Sequence, residues 1–308
     1  MQTISTWTLT DEALRGASVA MGNFDGVHRG HQAVINSARR PDAPLGVITF
    51  EPHPRQVFNA DGPAFRLMNA EGRRNRLERL GVDVLFELPF TKDLSSLPPD
   101  AFARDILSQG LGISHVVVGS DFCFGHKRAG NAEMLKAFGA QMGFDVTIVD
   151  LIGKADGVYS STAIRTALSE GRVQDAADML GHRHRIDGLV VHGAKRGREL
   201  GYPTANMVVD GLHLPKLGVY AVKVEVRSGP QRGIYDGVAS LGVRPMFGIN
   251  TPNFEVHLFD FKGDLYDAHL SVALVQYLRP EARFDSLPDL IAQMDQDSAQ
   301  ARAILAQV

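Results

Sequence analysis

Two histidines separated by an arginine and a glycine, His28-Arg-Gly-His31, close the run MGNFDGVHRGH at residues 21–31. They are the first groups in the chain that could do chemistry. An apolar run, Val19, Ala20 and Met21, precedes the motif and reads as the end of a strand, while Val34, Ile35 and Ala38 follow at helical spacing. Gly22, Gly26 and Gly30 lie between, where glycine permits a sharp turn and close backbone approach. A strand, a glycine-rich turn and a helix start leave backbone N–H groups and the positive end of the helix dipole facing one point. The imidazoles add donors that can point at the same anion. This arrangement predicts a nucleotide-phosphate site. The competing reading is a polar strand-to-helix loop with histidines as turn and cap residues.

Three further stretches of the first half carry polar groups at strand ends. In TFEPHP (49–54), prolines 52 and 54 end the strand and hold His53 at the sheet's carboxyl edge, as a ligand contact or a turn residue. VGSDFCFG (118–125) brings Asp121, Phe122 and Phe124 to that edge; the phenylalanines could stack on a planar ring, and by pattern alone core is the better reading. SSTAIR (160–165) opens a helix with Ser160 or Ser161 as N-cap. Arg165 lies one turn in, within reach of a phosphate held at that N-terminus, and a guanidinium can grip two phosphate oxygens.

The second half offers a different chemistry. GAKRGRELGYPTAN (193–206) is rich in glycine and basic groups without helical or strand period, and reads equally as a solvated or a phosphate-binding loop. Thr204 and Asn206 are hard oxygen ligands two residues apart, suited to Mg²⁺ beside a nucleotide, or else ordinary turn residues. In NFEVHLFDF (253–261), alternation sets Glu255 and His257 opposite Val256 and Leu258. A carboxylate there can accept a proton from a substrate hydroxyl; periodicity alone favours the polar face of a half-exposed strand.

Two architectures must position these groups. Strand-like runs at 47–50, 82–88, 116–119 and 146–151 alternate with helical patterns at 71–80, 101–107 and 133–142. Such alternation implies a parallel sheet with helices on both faces, which binds ligands at the carboxyl ends of its strands. The pattern changes at GHRHRI (181–186). Beyond it Tyr220, Val222, Val224 and Val226 alternate with Ala221, Lys223 and Glu225, and runs at 234–241, 254–261 and 269–278 are divided by turn residues. These predict a small antiparallel barrel or sandwich, closed by a helix at 287–305. Two domains are expected, 1–183 and 184–308. With 44% apolar and 22% charged residues and a formal charge of −3, the 308-residue chain gives no reason to expect nucleic acid or an anionic membrane as partner. The single cysteine, Cys123, excludes an internal disulfide and a cysteine-rich metal site and fits a reducing compartment. No signal peptide or membrane-length apolar run is visible, so a cytoplasmic location is expected.

The phrases GNFDGVHRGH, TFEPHP, VGSDF-x-FG and SSTAIR, in this order, resemble the FAD synthetase module of bacterial riboflavin kinase/FAD synthetases, and His-x-Gly-His resembles the nucleotidyltransferase signature. GRELGYPTAN, GVYAV and FEVHLFDF resemble the riboflavin kinase module of the same family. The resemblance spans about residues 15 to 300. It implies an α/β Rossmann-like nucleotidyltransferase domain, then a six-stranded riboflavin kinase-like β-barrel with a C-terminal helix. Riboflavin would be phosphorylated by ATP to FMN, and FMN adenylylated to FAD with release of pyrophosphate. By the same resemblance Gly22, Asn23, Phe24, Asp25, His28, Gly30 and His31 hold ATP, with His28, His31 and Arg165 catalytic. Ser161, Thr162 and Arg165 meet its phosphates. His53, Pro54, Asp121 and Phe122 line the flavin and adenylyl region. In the kinase module Thr204 and Asn206 carry Mg²⁺–ATP, Glu255 is the general base, and Gly193, Lys195, Gly197 and Pro203 shape the nucleotide loop. Two departures stand out. Cys123 replaces an arginine common in the family, so Lys127 or Arg128 is expected to supply its charge, and SLGVRPM (240–246) departs from NIGTRPT. Competing readings are the same fold with one activity, an adenylyltransferase for another acceptor, and a non-catalytic flavin carrier. ATP, riboflavin and FMN are the expected small-molecule partners, and a homo-oligomer is compatible with the sequence.

Overall fold

The computed structural model describes residues 1–8, 11–150, 153–154, 157–193, 201–246 and 249–308, with the backbone alone at 154, 157–158, 244–246 and 249–251. Contacts divide the chain into two compact units, Met1–Gly62 with Arg73–Tyr159, and Pro63–Gly72 with Ser160–Val308.

In the first unit the strands run β1 (Gln2–Ile4), β2 (Ser18–Met21), β3 (Leu45–Glu51), β4 (Val84–Pro89) and β5 (His115–Gly119). A short hairpin of β6 (Cys123–Phe124) and β7 (Gly130–Asn131) and then β8 (Asp145–Val149) follow. β1-β4-β3-β2-β5-β8 form one all-parallel sheet. Every residue of β2 is buried, as expected for a central strand covered on both faces. The chain leaves β2 toward β3 and β4 on one side and reaches β5 and β8 on the other. The order therefore switches between β2 and β5, where an open parallel sheet offers its ligand crevice. Helices α1 (Arg29–Ser37), α2 (Pro54–Phe58), α3 (Ala70–Arg79), α4 (Lys92–Ser96), α5 (Pro99–Ala101) and α6 (Ala132–Met142) connect the strands. The helix expected at 101–107 is instead a π-helix over Phe102–Gly110. Its wider winding still buries Phe102, Ala103, Ile106 and Leu107, the apolar face that the spacing indicated. Beyond β8 only the two-residue strands β9 (Gly153–Lys154) and β10 (Gly157–Val158) are described.

The second unit is built on a closed antiparallel barrel. Its strands are β11 (Arg185–Val191), β12 (Ala205–Met207), β13 (Gly218–Val226), β14 (Gly233–Met246), β15 (Ile249–Leu258) and β16 (His269–Arg279), in the order β11-β12-β15-β14-β13-β16. Tyr220, Val222 and Val224 of β13 are buried in one core with Ile164 and Leu168 of α7 (Ser161–Ser169) and Leu180 of α8 (Val173–Leu180). The opposite face of β13 is not wholly polar. Ala221 is fully buried with Phe259, Val275 and the Ala301 and Leu305 side chains of α9 (Leu287–Leu305), which covers that side of the barrel. Leu67, from the segment assigned to this unit, joins the barrel core.

Candidate active sites

In the first unit, the loop from β2 to α1 is the most constrained backbone of the site. Phe24 and Val27 adopt positive φ values of 51° and 42°, unfavourable for an aromatic and a β-branched residue. Both are essentially fully buried, so packing holds what the backbone disfavours. Thr49 Oγ1 at the end of β3 donates to Asn23 O at 3.2 Å, and Gly22 N–H to Ile48 O at 3.1 Å, fixing the loop to the sheet edge. His28 is the N-cap of α1: its Nδ1 accepts from the His31 N–H at 3.3 Å. That acceptor role leaves the proton of a neutral His28 ring on Nε2. The two imidazoles stack, centroids 3.6 Å apart and planes at 17°, and Phe24 meets His31 edge-on at 5.2 Å. A side chain at Gly30 would crowd this pair, since its Cβ would lie 3.1 Å from His28 Cε1. Burial first, and the neighbouring His28 second, hold the His31 pKa well below 6.5. His31 is therefore a neutral hydrogen-bonding group at pH 7, and among the described residues its buried Nδ1 has no partner.

His53 begins α2 as His28 begins α1. Its Nδ1 accepts from the Arg55 N–H at 3.0 Å, its own N–H donates to Gln56 Oε1 at 3.3 Å, and it follows the cis Glu51–Pro52 bond and precedes Pro54. Asp25 is buried and Asp121 exposed. Phe122 stacks on Phe124 at 5.8 Å, and buried Phe124 packs on Phe102 at 5.7 Å, so Phe124 belongs to the core and Phe122 rests half-buried against it. Cys123 is exposed, and Lys127 and Arg128 stand in left-handed backbone at φ 53° and 59°.

Ser161, Thr162 and Arg165 open α7 in the second unit, behind Ser160, whose hydroxyl caps the Ala163 N–H at 3.2 Å. Arg165 Nε donates to Phe65 O at 2.5 Å, and its guanidinium lies 5.6 Å from the Phe65 ring centroid.

The kinase-like motifs meet on one wall of a cavity of about 320 Å³ in the second unit. Asn206 on β12 and Ser240 on β14 flank Glu255 on β15 as direct cross-strand partners. Glu255 accepts from Asn253 Nδ2 at 2.7 Å through Oε1 and from Thr204 Oγ1 at 3.4 Å through Oε2. Pro203 O is bonded to His257 Nδ1 at 2.8 Å, and Tyr202 packs on His257 with ring centroids 5.0 Å apart. A Cβ at Gly193 would lie 2.3 Å from Asn206 Nδ2, so only glycine lets the Asn206 side chain lie against that backbone. Lys195 and Gly197 lie outside the described residues, as does the side chain of Met246. The cavity is also lined by apolar side chains, Val219, Val238, Ala239, Phe284, Leu290 and Met294.

Two family models match the sequence: FAD synthetase over residues 10–163 and riboflavin kinase over residues 180–305. A bifunctional riboflavin kinase/FMN adenylyltransferase from Pseudomonas fluorescens is 41% identical over 298 residues, covering 95% of this chain and 94% of its own. The chain belongs to the bifunctional riboflavin kinase/FMN adenylyltransferase family. The Listeria monocytogenes member is 37% identical over 99% of this chain and 96% of its own. A crystal structure titled as a macrolide-efflux protein from Streptococcus pneumoniae shares the fold, with a TM-score of 0.81 and 34% identity over 98% of this chain and 99% of that one. Among the described residues of this chain, no helix is long and apolar enough to cross a membrane.

As a riboflavin kinase/FMN adenylyltransferase, the chain uses ATP to make FMN from riboflavin and FAD from FMN. The cavity of the second unit also contains groups that the motifs did not reveal. Arg279 grips Asp297 of α9 through Nε–Oδ1 at 2.8 Å and Nη2–Oδ2 at 2.7 Å, joining strand to helix across the cavity. Tyr202 hydrogen-bonds Asp295 of the same helix. No local pattern announces pairs separated by 18 and 93 residues. Asn253, by contrast, was within reach of the alternation rule, two residues before Glu255 on the same face.

Proposed function

We propose that residues 1–183 carry adenylyl transfer and residues 184–308 carry phosphorylation, each at the site described above. The observation that carries the kinase reading is the Glu255 carboxylate, held by Asn253 and Thr204 in a cavity that also has apolar lining residues. Such a cavity suits a flat isoalloxazine ring, with the ribityl chain reaching toward Glu255. Glu255 accepts the proton of the ribityl 5′-hydroxyl as its oxygen attacks the γ-phosphorus of ATP and ADP leaves. Thr204 and Asn206 offer neutral oxygen donors beside an anionic one, a set that fits Mg²⁺ with ATP phosphates completing its shell. When bound, the metal neutralises phosphate charge. Gly193 and Pro203 contribute to the nucleotide site.

For adenylyl transfer, a phosphate oxygen of FMN attacks the α-phosphorus of ATP in line and pyrophosphate leaves, so no protein nucleophile is required. Positioning and electrostatic stabilisation carry the rate. The loop Gly22–Asn23–Phe24–Asp25 and Gly30 hold ATP, and His28 and the neutral His31 donate to its phosphates, their stacking supported by Phe24. The family resemblance assigns Ser161, Thr162 and Arg165 to ATP phosphates and His53, Pro54, Asp121 and Phe122 to the flavin. The enzyme works in the cytoplasm on small molecules and needs neither nucleic acid nor membrane. The test is product analysis over time, with Mg²⁺–ATP and either riboflavin or FMN. Glu255→Gln abolishes FMN formation and spares FAD formation from FMN; His31→Ala does the reverse, so FMN accumulates. Equal loss of both activities in either folded variant overturns the two-site assignment.

A further inference from the structure

Glu255 is not held by its strand alone. A glutamate carboxyl rotates about its last torsion with little resistance, and a proton acceptor must keep its geometry within a fraction of an ångström. The bond from Asn253 Nδ2 to Oε1, at 2.7 Å, is the short one; the contact of Oε2 with Thr204 Oγ1 is 3.4 Å. Asn253 sits two residues earlier on the same face of β15, opposite Gly242 of β14. A Cβ at Gly242 would lie 2.1 Å from Glu281 Oε1, so the Glu281 carboxyl occupies the space that any larger residue there would fill. Glu281 and Glu255 thus line the same cavity as two carboxylates, with Asn253 on the strand position between Glu255 and the Glu281 side. The N–H donated to Oε1 restrains the last torsion of Glu255 and fixes which of its oxygens is taken up by Asn253.

We propose that Asn253 is a positioning residue for riboflavin phosphorylation: it fixes Oε1 of Glu255 so that Oε2 takes the hydroxyl proton. This rests on the assignment of Glu255 as proton acceptor. Among the described residues, the other titratable or charged groups lining the cavity are Tyr202, His257, Arg279, Glu281 and Asp297, and Arg279 and Asp297 are paired with one another. An Asn253 substitution leaves all five in place.

The test compares steady-state FMN formation from pH 4.5 to 8.5 in Asn253→Leu, Asn253→Gln and Glu255→Gln, with FAD formation from FMN in the same preparations. A return to pH 7.5 after each exposure shows that the protein survived it. Asn253→Leu is expected to lower kcat about tenfold with KM for riboflavin and ATP within about twofold. The acid limb of its kcat profile moves up by about one pH unit, as loss of one donor to a carboxylate requires. Asn253→Gln, which keeps a donor on a longer arm, recovers part of kcat and part of the profile. An unchanged kcat and profile in Asn253→Leu, or a rise in KM alone, overturns the proposal. If Glu255→Gln keeps wild-type kcat, the proton-acceptor assignment itself falls; if Glu255→Gln is inactive while Asn253→Leu behaves as wild type, only the role of Asn253 falls.

Discussion

His184, at the entrance to β11, makes the barrel unit acid-sensitive by a calculable amount. Its ring is only 3% exposed, and burial, followed by the charges of His182 and His213, lowers its pKa from 6.5 to about 3. The folded state refuses a proton that the unfolded chain accepts. Stability is therefore intact above about pH 6.5 and is lost progressively as pH falls toward 3. With those two values, linkage gives a loss of about 3 kcal/mol at pH 4.5 against well under about 1 kcal/mol at pH 7. The amide of Leu274 reports it directly, because its N–H bonds to His184 O at 2.9 Å between β16 and the start of β11. Hydrogen exchange at Leu274, corrected for the intrinsic rate, should lose about a hundredfold in protection from this residue alone between pH 7 and 4.5. His184→Gln cannot take up the proton, so it should be less protected at pH 7 yet lose about a hundredfold less on acidification. Parallel losses in the two proteins would refute the reasoning, because the acid sensitivity would then belong to other groups.

Other perturbations give equally definite outcomes. Gly193→Ala pushes the Asn206 side chain from its position, so the Mg²⁺ concentration for half-maximal FMN formation should rise several-fold while FAD formation from FMN is unchanged. Arg73 is 1% exposed and bonded at 2.8 Å to both Glu87 and Glu51, so Arg73→Met should cost about 3–5 kcal/mol and lower the melting temperature of the first unit by roughly 10 °C, read from Trp7 fluorescence. Phe24→Ala removes the buried ring that meets His31 and should cost about 3–5 kcal/mol; in the fraction that folds, FAD formation should fall well below FMN formation.

What was legible in the sequence was whatever a local period or a local spacing encodes. The strand before His28, the helix after it and the alternation through Glu255 each declare themselves within ten residues, and the same motifs that carry the family resemblance sit on them. Chemistry was legible only as residue type. The motif around His28 and His31 suggested two donors, but burial decides that His31 is neutral, and the capping bond to the His31 N–H decides which nitrogen of His28 carries the proton. Neither follows from spacing, since both depend on what the fold wraps around the rings. The same holds for the cavity. Asn253 could have been found by counting two residues back from Glu255, but the Arg279–Asp297 pair forms because α9 packs over β13 and β16, a tertiary fact with no local signature. Motifs therefore name the groups that touch substrate, while the groups that set their protonation and orientation lie at distances the chain does not announce. His184, buried by the fold at the start of β11, is another group whose protonation no local pattern announces.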